Sequence, residues 1–166
     1  FDGHEEFVFV NGGHAVIGDS DAPAGLEPHR VDVESFFLGR NPITVGRYAE
    51  FLNDLAQTDV EQAHAHAPRS AAGTVFLPFD ENAKQFLIGE PDPDGDIWEA
   101  DWPALMLNYH DAVAYCQWRS GREGVRYRLP TESEWEYAAR GADRRPYPWG
   151  SAFHPSIAGA ARAGDA

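Results

Sequence analysis

The sequence predicts an α+β domain of short strands, two main helices and long loops. Three observations carry this reading. Two stretches place apolar residues at helical spacing behind a capping side chain, one after Thr44 and one after Asn108. The strand-like runs are short and do not alternate regularly with helices, as a parallel sheet would need. Sixteen glycines and twelve prolines among 166 residues supply frequent turns.

In chain order, residues 7 to 18 alternate loosely around Gly12-Gly13 and predict a short hairpin or strand pair. Asp19 to Pro28, rich in Asp, Ala, Pro and Gly, reads as loop. Arg30 to Leu38 reads as a strand with Val31 and Val33 on one face. Thr44 caps a helix that buries Val45, Tyr48, Ala49, Leu52 and Leu55. Gln57 to Asp101 is the least regular part, with apolar runs at 75–79 and 86–88 and a turn cluster at 90–96. Its length without long periodic elements predicts an inserted, decorating or functional loop, and not a second core. Asn108 caps the second main helix, with Asp111 at its third position and Tyr109, Ala112, Val113 and Cys116 facing inward. Gly121 or Gly124 ends it. The last sixteen residues, from Ser151, are small and polar with little capacity to form core.

The length fits one domain, residues 1–166, with a core of its own. A formal charge of −14 argues against a nucleic-acid partner, whose phosphates need a basic surface, and against an anionic membrane. No apolar run approaches the roughly 18 residues of a membrane span. Phe1-Asp2-Gly3-His4 carries neither a methionine nor a signal-peptide pattern, so the expectation is a soluble protein, with the cytoplasm favoured, cut from a longer polypeptide. Cys116 is the single cysteine, which excludes an intrachain disulfide.

The most specific stretch is 126–140. Leu129 and Pro130 end an extended run, because a residue before proline avoids the helical region. Thr131 and Glu134 stand in capping-box register. Glu132, Glu134 and Glu136 crowd the positive end of the helix dipole, Arg140 lies near its negative end, and Gly141 supplies a left-handed stop. Trp135, Ala138 and Ala139 form an apolar stripe.

This string resembles the Arg-Leu-Pro-Thr-Glu-x-Glu-Trp-Glu-x-Ala-Ala-Arg-Gly signature of the formylglycine-generating-enzyme, or sulfatase-modifying-factor, family. Arg128, Thr131, Glu132, Glu134, Trp135 and Arg140 match it, and Trp149 matches the Tyr147-Pro148-Trp149-Gly150 motif that follows. Residues 9–13 with Ile17-Gly18, residues 28–36, residues 42–51 and residues 103–118 resemble further family segments in the same order. The resemblance implies a C-type-lectin-like fold, bacterial use of such domains, and a chain that is the N-terminal part of the domain. A second polypeptide, or a cleaved C-terminal remainder, is then expected to complete the fold.

Candidate sites follow from residue type and spacing. Trp98 and Trp102, beside an acidic loop, are the best candidates for an exposed ligand surface, with packing against the core as the favoured competing reading. Asp92, Asp94 and Asp96 alternate like the start of a calcium loop, but Ile97 and Pro103 stand where an EF-hand needs glycine and glutamate, so a Pro/Asp/Gly turn competes. The family's calcium sites use residues after the Pro-Trp-Gly motif, and the tail here has no asparagine. His64 and His66 form a His-x-His pair in what reads as a flexible loop. Cys116 is the one conceivable thiol nucleophile but lies on an apolar helical stripe, as a small hydrophobe would. The signature Arg and Glu residues read as caps and an ion-pair network in preference to acids and bases. The family's oxidases bind copper through two cysteines, and its sulfoxide synthases bind iron through histidines; the resemblance puts both ligand sets outside this chain. Calcium is the one structural ion these residues suggest. The expected role is a ligand- or protein-binding scaffold module, not catalytic by itself. The alternative is part of an oxygen-dependent oxidase acting on a thiol.

Overall fold

The computed structural model describes residues 7–18, 27–143 and 145–158. Its elements are β1 (Phe7–Val10), β2 (Gly13–Ile17), β3 (His29–Val33), β4 (Phe36–Gly39), α1 (Val45–Ala56), α2 (Val60–Ala65), β5 (Phe79–Asp80), β6 (Gln85–Phe86), α3 (Tyr109–Glu123), α4 (Glu132–Arg140) and α5 (Pro155–Ala158). This is a mixed α/β chain whose strand pairs among the described residues are all antiparallel. It divides into two units, Phe1–Arg40 with Pro130–Ala166, and Asn41–Leu129.

The first unit is built on one interrupted ribbon. β1 pairs with β4 and β2 with β3, and a single register runs through both, from Phe7 opposite Gly39 to Ile17 opposite His29. The expected hairpin around Gly12-Gly13 is therefore corrected: residues 7–17 form one arm and residues 29–39 the other. Gly12 is not a turn glycine. A Cβ there would lie 2.3 Å from the Val33 carbonyl oxygen and 2.6 Å from the Ser35 nitrogen. Its N–H instead donates to Ser35 Oγ at 2.9 Å, so glycine marks where the arms approach most closely. α4 packs across β2 and β3, where Ala15, Ile17 and Val33 are buried. The loop expected at 19–28 lies mostly outside the described residues, as does the chain start at residues 1–4.

The second unit is organised around α1. Thr44 caps it as expected, accepting the Arg47 N–H at 3.3 Å. Val45, Tyr48, Phe51, Leu52 and Ala56 face a core completed by Ala63, Ala67, Leu77, Phe86 and Tyr115. Four of those partners come from 57–101. That stretch is irregular in secondary structure, yet it builds one wall of the core and does not simply decorate it. The means is side-chain pairing of backbone: Asn53 Oδ1 accepts the Phe86 N–H at 2.7 Å, and its Nδ2 donates to the Phe86 carbonyl at 3.4 Å. Asn53 thus serves Phe86 as a neighbouring strand would, and the apolar ring is held against α1.

α3 begins at the expected Asn108 cap, where Asp111 completes a capping box, and ends at Gly124, in the left-handed region at φ 67°. Its inward face differs from the expected one. Asp111, Tyr115 and Arg119 are buried, whereas Tyr109 is 68% exposed and Ala112, Val113 and Cys116 are only half-buried. The helix is turned because its polar residues have partners inside. Asp111 meets residues of the 57–101 stretch, while Arg119 pairs with Glu123 at 2.9 Å and lies 4.4 Å over the Tyr127 ring. Among the described residues, no helix is long and apolar enough to cross a membrane.

Candidate functional site

The turn at 91–97 is built by one carboxylate. Asp92 Oδ1 accepts the N–H groups of Asp94 and Asp96, each at 2.9 Å, and Oδ2 accepts the Trp98 indole N–H at 3.1 Å. Burial alone would raise this carboxyl; the Trp98 and backbone donors outweigh it and hold Asp92 below the usual carboxylate range. Trp98, so fixed, stacks on Phe76 with centroids 5.4 Å apart. Of the two candidate tryptophans, Trp98 follows the packing alternative: it is a half-buried wall.

Trp102 has the opposite arrangement. Its backbone carbonyl accepts the Val45 N–H at 2.8 Å, and the Ala100 carbonyl accepts the Gly46 N–H at 2.8 Å. Residues 100–102 thereby satisfy the open N–H groups that every helix start leaves. With the backbone committed to α1, the Trp102 side chain stays 52% exposed, and its indole N–H has no hydrogen-bond partner among the described residues. Asp96, Ile97, Trp98, Trp102, Pro103 and Leu105 line an open groove of about 330 Å³. Just beyond it, Met106 holds φ at 57°, a left-handed conformation that a non-glycine side chain rarely adopts. Its carbonyl accepts the Arg69 N–H at 3.2 Å, which helps to hold it there.

The signature residues, all but Arg128 in the other unit, make structural contacts. Thr131 Oγ1 accepts the Glu134 N–H at 3.2 Å, and Glu134 accepts the Thr131 N–H at 2.7 Å, so the capping box is complete. Glu132 adds charge to the same first turn. Glu136 accepts the Gly18 N–H at 3.0 Å and pairs with Arg140 at 2.6 Å. Arg140 also donates to the Arg145 carbonyl at 2.9 Å. Arg128 donates to the Leu129 carbonyl, and the Trp149 indole to the Ala152 carbonyl. Gly141 has a positive φ of 69° but an extended ψ of −171°, so it stops the helix without the left-handed cap geometry. Trp135, a member of the expected apolar stripe, is 63% exposed, and no residue of α4 is fully buried. The Trp135-Ala138-Ala139 stripe therefore buries only its small members in part, while the indole stays in solvent.

A family model described as the sulfatase-modifying factor enzyme 1-like domain matches residues 2–166. The chain belongs to this family. It is 31% identical to the formylglycine-generating enzyme of Mycobacterium tuberculosis, over 90% of this chain and 56% of that protein. It is 34% identical to the hercynine oxygenase of Mycolicibacterium smegmatis, over 96% of this chain and 38% of that protein. It is also 33% identical to the inactive C-alpha-formylglycine-generating enzyme 2 of Mus musculus, over 90% of this chain and 52% of that protein. The chain thus spans between 38% and 56% of the length of these relatives.

Within this sulfatase-modifying-factor chain the metal-type candidates separate. Asp92 turns its carboxylate into its own turn, while Asp94 and Asp96 are exposed. Among the described residues, no three His, Cys, Asp or Glu side chains form a group able to hold a metal ion, and the Asp92 carboxylate organises an Asx-type turn. A copper set of two cysteines does not fit a chain with one thiol. Cys116 is half-buried, and burial pushes its thiol pKa up against the opposing charge of Arg119, the reverse of an activated nucleophile. The flexible loop expected for His64 and His66 is corrected: α2 runs through Val60–Ala65, capped by Asp59. His64 packs edge-on against Phe79 and Phe86.

His66 belongs to a cluster that sequence reasoning missed. Asp111, 2% exposed, accepts His66 Nδ1 at 3.0 Å and the Arg69 guanidinium at 3.5 Å, while its other oxygen accepts the Asn108 N–H at 2.9 Å. Tyr48 donates to the His66 carbonyl at 2.8 Å, and burial, then the Asp111 charge, push its phenol pKa far up. The cap position of Asp111 was legible. Its second oxygen, aimed at residues over forty positions earlier, carries no local signal.

Proposed function

We propose that this chain is a ligand- or protein-binding module of a sulfatase-modifying-factor domain, with the 96–105 groove as its binding surface. One observation carries the reading: Trp102 is held outward on a backbone that is committed to capping α1, with the exposed Leu105 lining the same groove. A solvent-facing indole on fixed backbone costs little entropy to use as an anchor. Strain at Met106 beside the groove supports it, since backbone outliers gather at functional sites. The family's expected C-type-lectin-like arrangement, in which long ordered loops display ligand-contacting side chains, is part of this proposal.

The test is a backbone-amide NMR titration of the full chain with a neutral, leucine- and phenylalanine-bearing peptide. Shifts should concentrate at residues 96–106 and vanish in Trp102→Ala. Shifts spread evenly, or confined to the other unit, would sink the reading.

A second reading, part of an oxygen-dependent oxidase acting on a thiol, is favoured by relatives named formylglycine-generating enzyme and hercynine oxygenase. It requires metal ligands from additional polypeptide. Oxygen uptake by the whole parent protein with a cysteine-containing peptide and added copper would support it. Both readings include a further polypeptide stretch, or a second chain, that completes the domain. Phe9 and Phe37, a cross-strand pair with ring centroids 5.1 Å apart, are exposed on the first unit and offer it apolar surface. A stable, monodisperse monomer by size exclusion would count against that partner.

A further inference from the structure

We infer that the 96–105 groove takes a basic peptide segment, one that places a leucine or aromatic side chain against Trp102 and lysines or arginines against the rim. This rests on the binding reading above and adds the chemistry of the occupant.

The floor supplies the anchor site. Ile97, Trp102 and Leu105 all expose large apolar surface around the fixed Trp98 wall. Apolar side chains left open in this way gain by excluding water from a complementary side chain.

The rim supplies the sign. From Gln85 to Trp118 the sequence carries no lysine or arginine, while Glu90, Asp92, Asp94, Asp96, Glu99, Asp101 and Asp111 fall within it. Asp92 and Asp111 are consumed by their own hydrogen bonds. Asp94, Asp96, Glu99 and Asp101 remain exposed, and none makes an ion pair among the described residues. Like charges so close along the chain repel within the screening length of about 10 Å. A cationic occupant relieves that repulsion while its apolar anchor fills the groove. An arginine would also stack on the exposed Trp102 face.

Other occupants fit less well. A second copy of this chain brings its own charge of −14 to an acidic rim. Nucleic acid and anionic membrane bring the same unfavourable sign. A small amine satisfies the rim but leaves Ile97 and Leu105 in water.

The experiment uses the full chain and three fluorescein-labelled peptides of one length. All three alternate leucine with a second residue: arginine, glutamine or glutamate. Binding is read by anisotropy at about 50 and 300 mM salt. The arginine peptide is expected to bind best and to weaken as salt screens the rim. Trp102→Ala should weaken it roughly tenfold, the scale of an interface anchor. The double variant Asp96→Asn/Asp101→Asn should weaken it about threefold or more. A charge-matched control, Glu61→Gln/Glu81→Gln, changes two residues that do not line the groove and should alter binding less than twofold.

Equal loss in the control pair, or arginine-peptide binding indifferent to Trp102→Ala, would show nonspecific attraction to an acidic protein and overturn the inference. Equal binding of the glutamine peptide, still sensitive to Trp102→Ala, would overturn the basic occupant but leave the binding groove standing. No Trp102-dependent binding by any peptide overturns both. Should Trp102→Ala lose its near-ultraviolet circular dichroism, Leu105→Ser replaces it, with the same loss expected and each outcome carrying the same meaning.

Discussion

Around α1 the chain buries Tyr48, Phe51, Leu52, Leu77, Phe86 and Tyr115 in one aromatic-rich cluster. The ribbon-and-α4 unit buries only Ala15, Ile17 and Val33 among its described apolar residues. The second is held instead by directional contacts: Glu136 on the Gly18 N–H, Arg140 on Glu136 and on the Arg145 carbonyl, and the Thr131–Glu134 box. The difference teaches that two units of one chain can specify their form by different means. One relies on area removed from water and loses stability with each cavity. The other relies on a few polar clamps, each worth about 1 kcal/mol, and tolerates loss of apolar surface.

Substitution tests this contrast most sharply at Leu52, which is wholly buried in the cluster. Leu52→Ala should cost roughly 3 kcal/mol, transfer and cavity terms together. The measurement is a urea midpoint shift at unchanged slope. A loss below about 1 kcal/mol would mean that the α1 core repacks and is not specified by close fit. Next in size is Asp111→Ala. It removes half of a capping box and leaves His66 and Arg69 without their shared carboxylate, for a cost of about 2 to 3 kcal/mol. The figure is held down because both partners remain partly solvated. Asp111→Asn keeps the cap acceptor and should recover part of the loss, measured by the same melt.

In the ribbon unit the largest effect belongs to Glu136. Glu136→Gln keeps a hydrogen-bond acceptor for the Gly18 N–H but removes the charge that Arg140 pairs with, so roughly 1 kcal/mol is expected. Both side chains of that pair are mostly shielded, which keeps it above the value of an open surface bridge. Amide hydrogen exchange at Ile17 and Gly18 should speed up while exchange in α1 stays unchanged. Faster exchange in α1 as well would show that one cooperative transition covers both units.

The contrast also explains what could be read in advance. Caps were legible because they are local: Thr44, Asn108 and Thr131 each act on a residue two or three positions away. The signature helix and its capping box followed for the same reason. The Gly12-Gly13 hairpin failed because glycine signals both turns and close backbone approaches, and only the pairing partner at 29–39 tells them apart. The inward face of α3 was displaced because burial there follows Asp111 and Arg119, polar residues that an apolar-periodicity reading assigns to solvent. At the groove, the aromatic pair was visible but not its division of labour. Trp98 is consumed by Asp92, six positions away, and Trp102 is freed by α1, far earlier in the chain.

The smallest expected effect is at Trp135, the most conspicuous residue of the most recognisable stretch. Its indole is 63% exposed, and α4 is anchored through Glu136 and Arg140. Helix propensity also favours alanine over tryptophan by a few tenths of a kcal/mol. Trp135→Ala should therefore change stability by no more than about 0.5 kcal/mol. Thermal melts of this variant beside Leu52→Ala separate the two modes directly, since both remove a large apolar side chain from an α-helix. A loss at Trp135 approaching that at Leu52 would mean that the indole is covered in solution. The contact hiding it would then be a partner surface on the ribbon unit, and α4 would be held by burial after all.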